Sequence, residues 1–218
     1  MENTSRLYKA RFSQAEREAK RKTWGYLVKF FFQRYIRETD TVLDVGAGYC
    51  EFLNSVRAKR KIAVDINEDL SDFAGPGVEV ILAGALSYRN VKDSSVDVVF
   101  ISNLLEHLPS KDAVERALIE AHRVLKTGGS LILLQPNIRY SYKEYWDFFD
   151  HITPLSDKSI IEVLLKTGYR IAEIRPRFLP YTTKSIFPPT RFLAWAYLHL
   201  GIVQNLVGKQ MFVLAKKK

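Results

Sequence analysis

At 218 residues and 25.1 kDa the chain is long enough to bury roughly 70% of its unfolded surface in one large domain, so neither disulfides nor a structural metal are needed to hold it together. A hydrophobic share of 47% and a charged share of 26% exclude disordered, collagen-like and coiled-coil classes, and a net charge of +9 permits a polyanionic partner without demanding one. Cys50 is the single cysteine, so an intramolecular disulfide is impossible and the sulfur-containing zinc sets lack their ligands; a cytoplasmic chain with no metal is expected. Met1 to Thr4 lacks the basic flank and apolar core of a secretory signal, and Phe192 to Val207, interrupted by His199, Gly201, Gln204 and Asn205, is shorter than the ~20 residues of a membrane span.

Residues 6 to 37 read as two helices, the first basic (Arg11, Arg17, Lys20) and the second carrying Trp24, Leu27, Val28, Phe31 and Phe32 at three- and four-residue spacings. Thr41 to Val45 is a buried-type strand ended by Gly46-Ala47-Gly48, with a helix from Glu51 to Ala58. Further strands are expected at Lys61 to Asp65, Val78 to Leu82, Val96 to Ser102 and Leu131 to Leu134, with a helix near 110 to 126 capped by Thr127-Gly128-Gly129. An aromatic segment (Tyr140, Tyr142, Tyr145, Trp146, Phe148, Phe149) follows, read as the core of an inserted helix. A helix from about Asp157 to Thr167, a strand near Tyr169 to Pro176, a helix over Arg191 to Val207 that covers the sheet end, and a last strand at Gln210 to Ala215 close the chain. Alternating strands and helices with near-continuous apolar strands mean an α/β fold, a doubly wound and mostly parallel sheet. No linker divides 1–218, which is read as one domain: a helical cap over 1–39, a ligand-binding core over 40–137 and an acceptor-side segment with the last strands over 138–218.

In such sheets ligands bind outside the carboxyl ends of the strands, where the winding reverses. A dinucleotide fingerprint would continue the glycine pair with a third glycine, where Glu51 stands here, so an anion meets the expected place of a diphosphate. That argues against NAD or FAD and for a nucleoside whose other end is not phosphate. Asp65 closes the second strand 17 residues after Gly48, at the usual place of an acid that accepts hydrogen bonds from ribose hydroxyls.

Four segments carry a resemblance: Val42 to Leu53 around the glycine turn, Ala63-Val64-Asp65-Ile66, Ser95 to Pro109 with Asn103-Leu104-Leu105-Glu106-His107, and Arg123 to Leu133. Together, in order and register, they resemble a class I S-adenosylmethionine-dependent methyltransferase of the type 11 kind over about 40 to 135. The resemblance implies a seven-stranded Rossmann-like sheet and S-adenosylmethionine as cofactor. It also implies that Gly46, Ala47 and Gly48 pass the methionine part, that Asp44 orients the loop or the amino group, that Asp65 holds the ribose with Ile66 on the adenine, and that Asn103 and Leu104 face the sulfonium end. Two positions depart from the pattern: the third loop glycine is Cys50, and the acid expected after strand three is Ala85, which leaves adenine selectivity to backbone near Leu86.

The candidate acceptor-side residues are His151, after the fifth strand, and His107, each read against a packing or helix-capping role. The expected acceptor is a small molecule, a saccharide or a lipid-linked intermediate methylated at oxygen. Basic flanks at Lys184, Arg191 and Lys209 make a peripheral contact at the inner membrane surface an alternative to simple packing of the late helix. No nucleic-acid module is present, so RNA or protein methylation, and a non-catalytic cofactor-binding protein, stand behind it. Oligomeric state stays open.

Overall fold

The computed structural model describes residues 14–181 and 190–218. Strands β1 (Thr41–Val45), β2 (Arg60–Asp65), β3 (Val78–Leu82), β4 (Val96–Ser102), β5 (Leu125–Pro136), β6 (Tyr169–Leu179) and β7 (Gln210–Lys217) make one sheet in the order β3-β2-β1-β4-β5-β7-β6. The first five are mutually parallel and β7 runs antiparallel to both β5 and β6. Winding therefore reverses between β1 and β4, as the alternation in the sequence predicts.

Alternate residues of the central strands feed two apolar layers, because successive strand side chains point to opposite faces. Leu43, Val45, Val99, Ile101, Leu131 and Leu133 pack under Val114 and Leu118 of α4 (Lys111–Val124) and Ile160 and Leu164 of α6 (Asp157–Lys166). On the other face Val42, Val98, Phe100, Ile132 and Leu134 meet α1 (Gln14–Phe30), α2 (Glu51–Ser55) and α7 (Arg191–His199). That second layer is aromatic: the Phe52 and Phe100 rings stack 3.8 Å apart, with Trp24 and Phe32 edge-on to Phe100 at 5.9 and 5.3 Å. The remaining short helices are α3 (Leu70–Phe73), α5 (Ile138–Ser141) and α8 (Gly201–Val207).

Several boundaries differ from the sequence expectation, each for a local reason. Among the described residues the segment before β1 is one helix followed by a 3-10 turn at Phe32–Tyr35; Tyr8, Arg11 and Phe12 lie outside the described residues, as does Lys184. The second helix stops at Ser55, where Val56 turns to extended backbone. Thr127-Gly128-Gly129 does not cap α4: β5 already begins at Leu125, which pairs with Val96, and the glycines occupy a bulge in which Gly128 takes φ +74°. The late helix breaks at Leu200 because buried Gln204 donates its amide to the Tyr197 and Leu198 carbonyls, folding α8 back onto the end of α7.

Phe100 is the hub of the aromatic layer and sits fully buried on the strand beside the winding reversal. Phe100→Ala should destabilise the fold by about 3–5 kcal/mol, read as a lowered urea midpoint with an unchanged slope. A loss under 1 kcal/mol would show that the layer does not hold α1 to the sheet.

Candidate active site

The turns that follow β1, β2, β3, β4 and β5 gather at the carboxyl edge of the sheet. In the first of them Gly46, Gly48 and Cys50 take φ values of +77°, +53° and +56°, so Cys50 adopts the left-handed backbone of the glycine it replaces. The turn folds over the end of β2: the Gly46 and Ala47 amides donate to the Val64 carbonyl at 2.8 and 3.2 Å. A Cβ on Gly46 would lie 3.0–3.2 Å from the Leu104 side chain, whereas one on Gly48 would meet nothing within 4 Å. Gly46 thus seals the turn against the segment after β4, and Gly48 faces open space.

Asp65 ties this turn to the next. Its carboxylate accepts from the Gly48 amide at 2.8 Å and from the Asn67 amide at 2.9 Å, one on each oxygen, leaving further lone pairs on both. Beyond it Ile66 is 53% exposed beside Gly84, and Leu86 is 36% exposed, so two apolar side chains project where the strand ends leave room. Asn103 takes φ +48° with its amide donating to the Leu134 carbonyl at 2.9 Å, which turns the chain and brings Leu104 onto Gly46.

Three acids stand close behind the turn. Asp44 is buried, and burial first, then the charges of Asp65 and Glu51, push its carboxyl well above the usual range. Burial, with the same acids, raises the Cys50 thiol to about 12, so it is a packed group and no nucleophile. Glu51, also buried, meets Lys20 of α1 at 3.2 Å. The basic face of the N-terminal helix therefore supplies a counter-charge to the turn.

His107 and His151 come together, although 44 residues separate them in sequence. Their rings lie 4.9 Å apart, because the segments after the adjacent strands β4 and β5 meet at one edge. The Glu106 carbonyl accepts from the Ile152 and Thr153 amides at 2.8 and 3.0 Å, and the Thr153 hydroxyl donates to the Leu108 carbonyl at 2.6 Å, which locks the two segments in register. His107 Nδ1 lies 2.9 Å from the Asp150 carbonyl, and His151 Nδ1 lies 3.1 Å from the Tyr181 hydroxyl. His151 does not cap the following helix, since Ser156 does so in a reciprocal capping box with Ser159.

Sequence reasoning missed Glu106 and Tyr181. Glu106 is buried between the two histidines, and burial pushes its carboxyl to about 8. An acid next to a histidine after β4 was the available signal; Tyr181 offered none, lying a strand and a helix away in sequence. The aromatic segment is not an inserted core helix: Tyr145 is fully buried against His151, but Tyr142 and Trp146 are more than half exposed and Phe149 is 98% exposed. The aromatics Tyr142, Tyr145 and Trp146 are expected around His151; the rings against it are Tyr145, Phe148 and Tyr181, so of the expected three only Tyr145 packs there. A cavity of about 380 Å³ lined by Arg34, Arg37, Asp97 and Lys216 lies at the opposite, amino edge of the parallel strands, far from these turns.

The profile of a methyltransferase-domain family matches residues 43–133, the span from β1 to β5 that holds every turn described except the one bearing His151. Residues 43–133 are a methyltransferase domain. A probable methyltransferase of Aspergillus luteorubrus is 30% identical over 167 residues, 69% of this chain and 57% of its own. A relative from Encephalitozoon cuniculi is 30% identical over 115 residues, 52% of this chain and 53% of its own, so the chain spans little more than half the length of these curated relatives. Among solved structures, a SAM-dependent methyltransferase from Archaeoglobus fulgidus superposes with TM-score 0.67 at 20% identity, covering 90% of this chain and 94% of that one. A geranyl diphosphate methyltransferase solved with SAM superposes with TM-score 0.64 at 13% identity, covering 93% and 87%. These likenesses show the fold. S-adenosylmethionine is the cofactor of this methyltransferase family, and the glycine turn, with Gly48 on open space and Asp65 beside it, has room for such a ligand.

Asp44 offers a test of the buried charge in this methyltransferase turn. A raised folded-state pKa means that the native state binds the proton more tightly than the unfolded chain; this stabilisation is full below the unfolded value of about 3.9 and fades as pH rises toward the folded value. Asp44→Asn should therefore gain stability relative to the parent as pH climbs above about 4, and should lose affinity for S-adenosylhomocysteine. Melting curves across that range check the first expectation. A stability difference that does not change with pH would mean that Asp44 is not a buried charge.

Proposed function

We propose that the protein transfers a methyl group from S-adenosylmethionine to an oxygen of a small-molecule, saccharide or lipid-linked acceptor. The observation that carries this reading is the convergence of His107, His151 and Glu106 at the carboxyl edge, where Glu106 and His107 follow within three residues of Leu104, which packs on Gly46. In it, the core over 40–137 holds the cofactor, with the flanking segments 1–39 and 138–218 as cap and acceptor side.

Gly46, Ala47 and Gly48 would border the methionine part, Asp65 the ribose, and Ile66 with backbone at Leu86 the adenine. Asn103 and Leu104 would stand at the sulfonium end, and Asp44 behind the turn. When bound, the cofactor supplies an activated methyl group and leaves as the neutral thioether. The chain's task is then to align the acceptor oxygen, exclude water and take up the hydroxyl proton as that oxygen's lone pair forms the new bond. His151, braced by Tyr145, Phe148 and Tyr181, is the proposed proton acceptor, with His107 beside it. The surroundings of His151 carry the acids Glu106, Asp147 and Asp150, which supports a small acceptor over nucleic acid despite the net charge of +9.

Asp65→Ala should weaken S-adenosylhomocysteine binding by roughly 1.5–3 kcal/mol, through lost hydrogen bonds to the ribose and a looser Gly48 turn. His151→Ala should leave that affinity intact and cut turnover about 100- to 10,000-fold. Calorimetry separates the two. Unchanged binding in a folded Asp65→Ala protein would make Asp65 a turn residue only, and unchanged turnover would remove His151 from the acceptor side.

A lipid-linked acceptor is also supported by α7 and α8. Phe192, Trp195, Leu200, Ile202 and Leu206 are exposed there, between the cationic side chains of Arg191 and Lys209. No helix among the described residues is long and apolar enough to cross a membrane, so the contact in this reading is peripheral. The protein should co-float with vesicles containing anionic lipid, and Ile202→Glu with Leu206→Glu should abolish this; flotation equal to the parent would exclude these helices.

A further inference from the structure

We propose that Glu106, His107 and His151 form a site for one divalent transition-metal ion of the zinc kind, which holds the acceptor oxygen. One ligand atom from each residue lies within 4.8 Å of the other two. Ligands about 2.0–2.2 Å from a single ion sit about 3.3–3.5 Å apart, so the set needs to close by little more than about an ångström on loading. Two imidazoles and one carboxylate make a three-ligand set that leaves a fourth position for water or substrate, the arrangement of catalytic rather than structural zinc. The absence of thiolate ligands does not bear on such a set, and imidazole donors favour zinc, nickel, copper or iron over magnesium and calcium.

The groups around the ligands are those a metal site requires. Ligating histidines have their second ring nitrogen fixed by a carbonyl, carboxylate or similar group. His107 Nδ1 lies 2.9 Å from the Asp150 carbonyl, a pure acceptor, so that nitrogen bears the proton and Nε2 carries the lone pair. The Asp150 carboxylate lies 3.3 Å from the same nitrogen. His151 Nδ1 lies 3.1 Å from the Tyr181 hydroxyl, which orients the ring and can accept from or donate to that nitrogen.

Glu106 supplies an independent observation. It is 2% exposed, and its Oε2 has no hydrogen-bond partner among the described residues; the fully buried Tyr145 hydroxyl beside His151 is also unpartnered. Among the described residues Gln135 Oε1 and the Tyr88 hydroxyl are unpartnered elsewhere in the interior; what sets Glu106 and Tyr145 apart is that two such atoms belong to residues gathered at the same pair of histidines. The backbone bonds from Ile152 and Thr153 to the Glu106 carbonyl hold His151 against Glu106 without using either side chain.

The role of the ion rests on the methyl-transfer reading. In the loaded site the imidazoles are ligands, so direct proton uptake by His151 is replaced: an acceptor hydroxyl in the fourth position gives its proton to a water molecule, its oxygen keeps the lone pair that bonds to the methyl carbon, and the carbon–sulfur bond breaks to leave the neutral thioether. The acceptors favoured are those with a hydroxyl able to reach a metal, phenols and sugar hydroxyls above amines already carrying a free lone pair.

The test uses Co2+, whose visible absorption reports four- or five-coordinate binding by nitrogen and oxygen. The chelator-treated full chain should take up one equivalent of Co2+ with intense visible bands, displaced by Zn2+. Glu106→Gln, which preserves shape, and His151→Ala should lose the bands while keeping cooperative melting. Tyr181→Phe should weaken binding about 10- to 100-fold, as expected for a group that orients a ligand. Absence of the bands in the folded parent protein, or equal uptake by Glu106→Gln and His151→Ala, overturns the site. Methyl transfer that survives chelation with no Co2+ bound overturns the site and leaves the methyltransferase reading; bound Co2+ without methyl transfer to any acceptor does the reverse.

Discussion

The close approach of Gly46 to Leu104 is the constraint on which the rest of the site depends. It exists because β1 and β4 are neighbours at the point where the winding reverses, so the segments leaving them face each other over one sheet edge. With no side chain at Gly46, the turn after β1 lies against the turn after β4, and β4 in turn sets where Glu106 and His107 stand. A Cβ at 46 would push the Leu104 side chain or the turn away and widen the gap between the two halves of the site.

A second theme is the handling of negative charge in a chain with net +9. Asp44, Glu51 and Glu106 are all buried at the carboxyl edge, whereas most of the cationic side chains are outside. Two solutions serve the three acids: Lys20 reaches Glu51 from α1, whereas burial drives Asp44 toward its neutral form and raises Glu106 to about 8. An acid that costs stability in this way persists where a ligand or a reaction uses it, and Asp44 and Glu106 flank the two halves of the proposed site.

The proposed acceptor side is assembled from three segments that share no local motif: Leu105 to Leu108 after β4, Tyr145 to Thr153 after β5, and Tyr181 beyond β6. Their mutual placement comes from main-chain bonds, chiefly those from Ile152 and Thr153 to Glu106, and from stacked rings around His151. Main-chain bonding of this kind leaves the side chains available for chemistry, and it fixes them more firmly than side-chain packing on a mobile loop would.

The succession of strands along the chain, the mostly parallel sheet, the glycine turn and the acid closing β2 were all legible in the linear sequence, because they rest on local periodicity and short-range turn chemistry. Val96 to Ser102 reads as a buried strand from its own residues, and Asp65 stands at a fixed offset from Gly48. What the tertiary structure alone decided is longer in range. The Gly128-Gly129 pair looks like a helix cap until Leu125 is seen to pair with Val96, and the exposed Phe149 looks like core until its place outside the sheet is known. Lys20 reads as one charge on a basic helix, and only packing brings it to Glu51. Above all, His107, His151, Glu106 and Tyr181 become one cluster only when β4 and β5 lie side by side and the segment after β6 folds across them, since sequence pattern reports which way a residue faces but not which distant residue it meets.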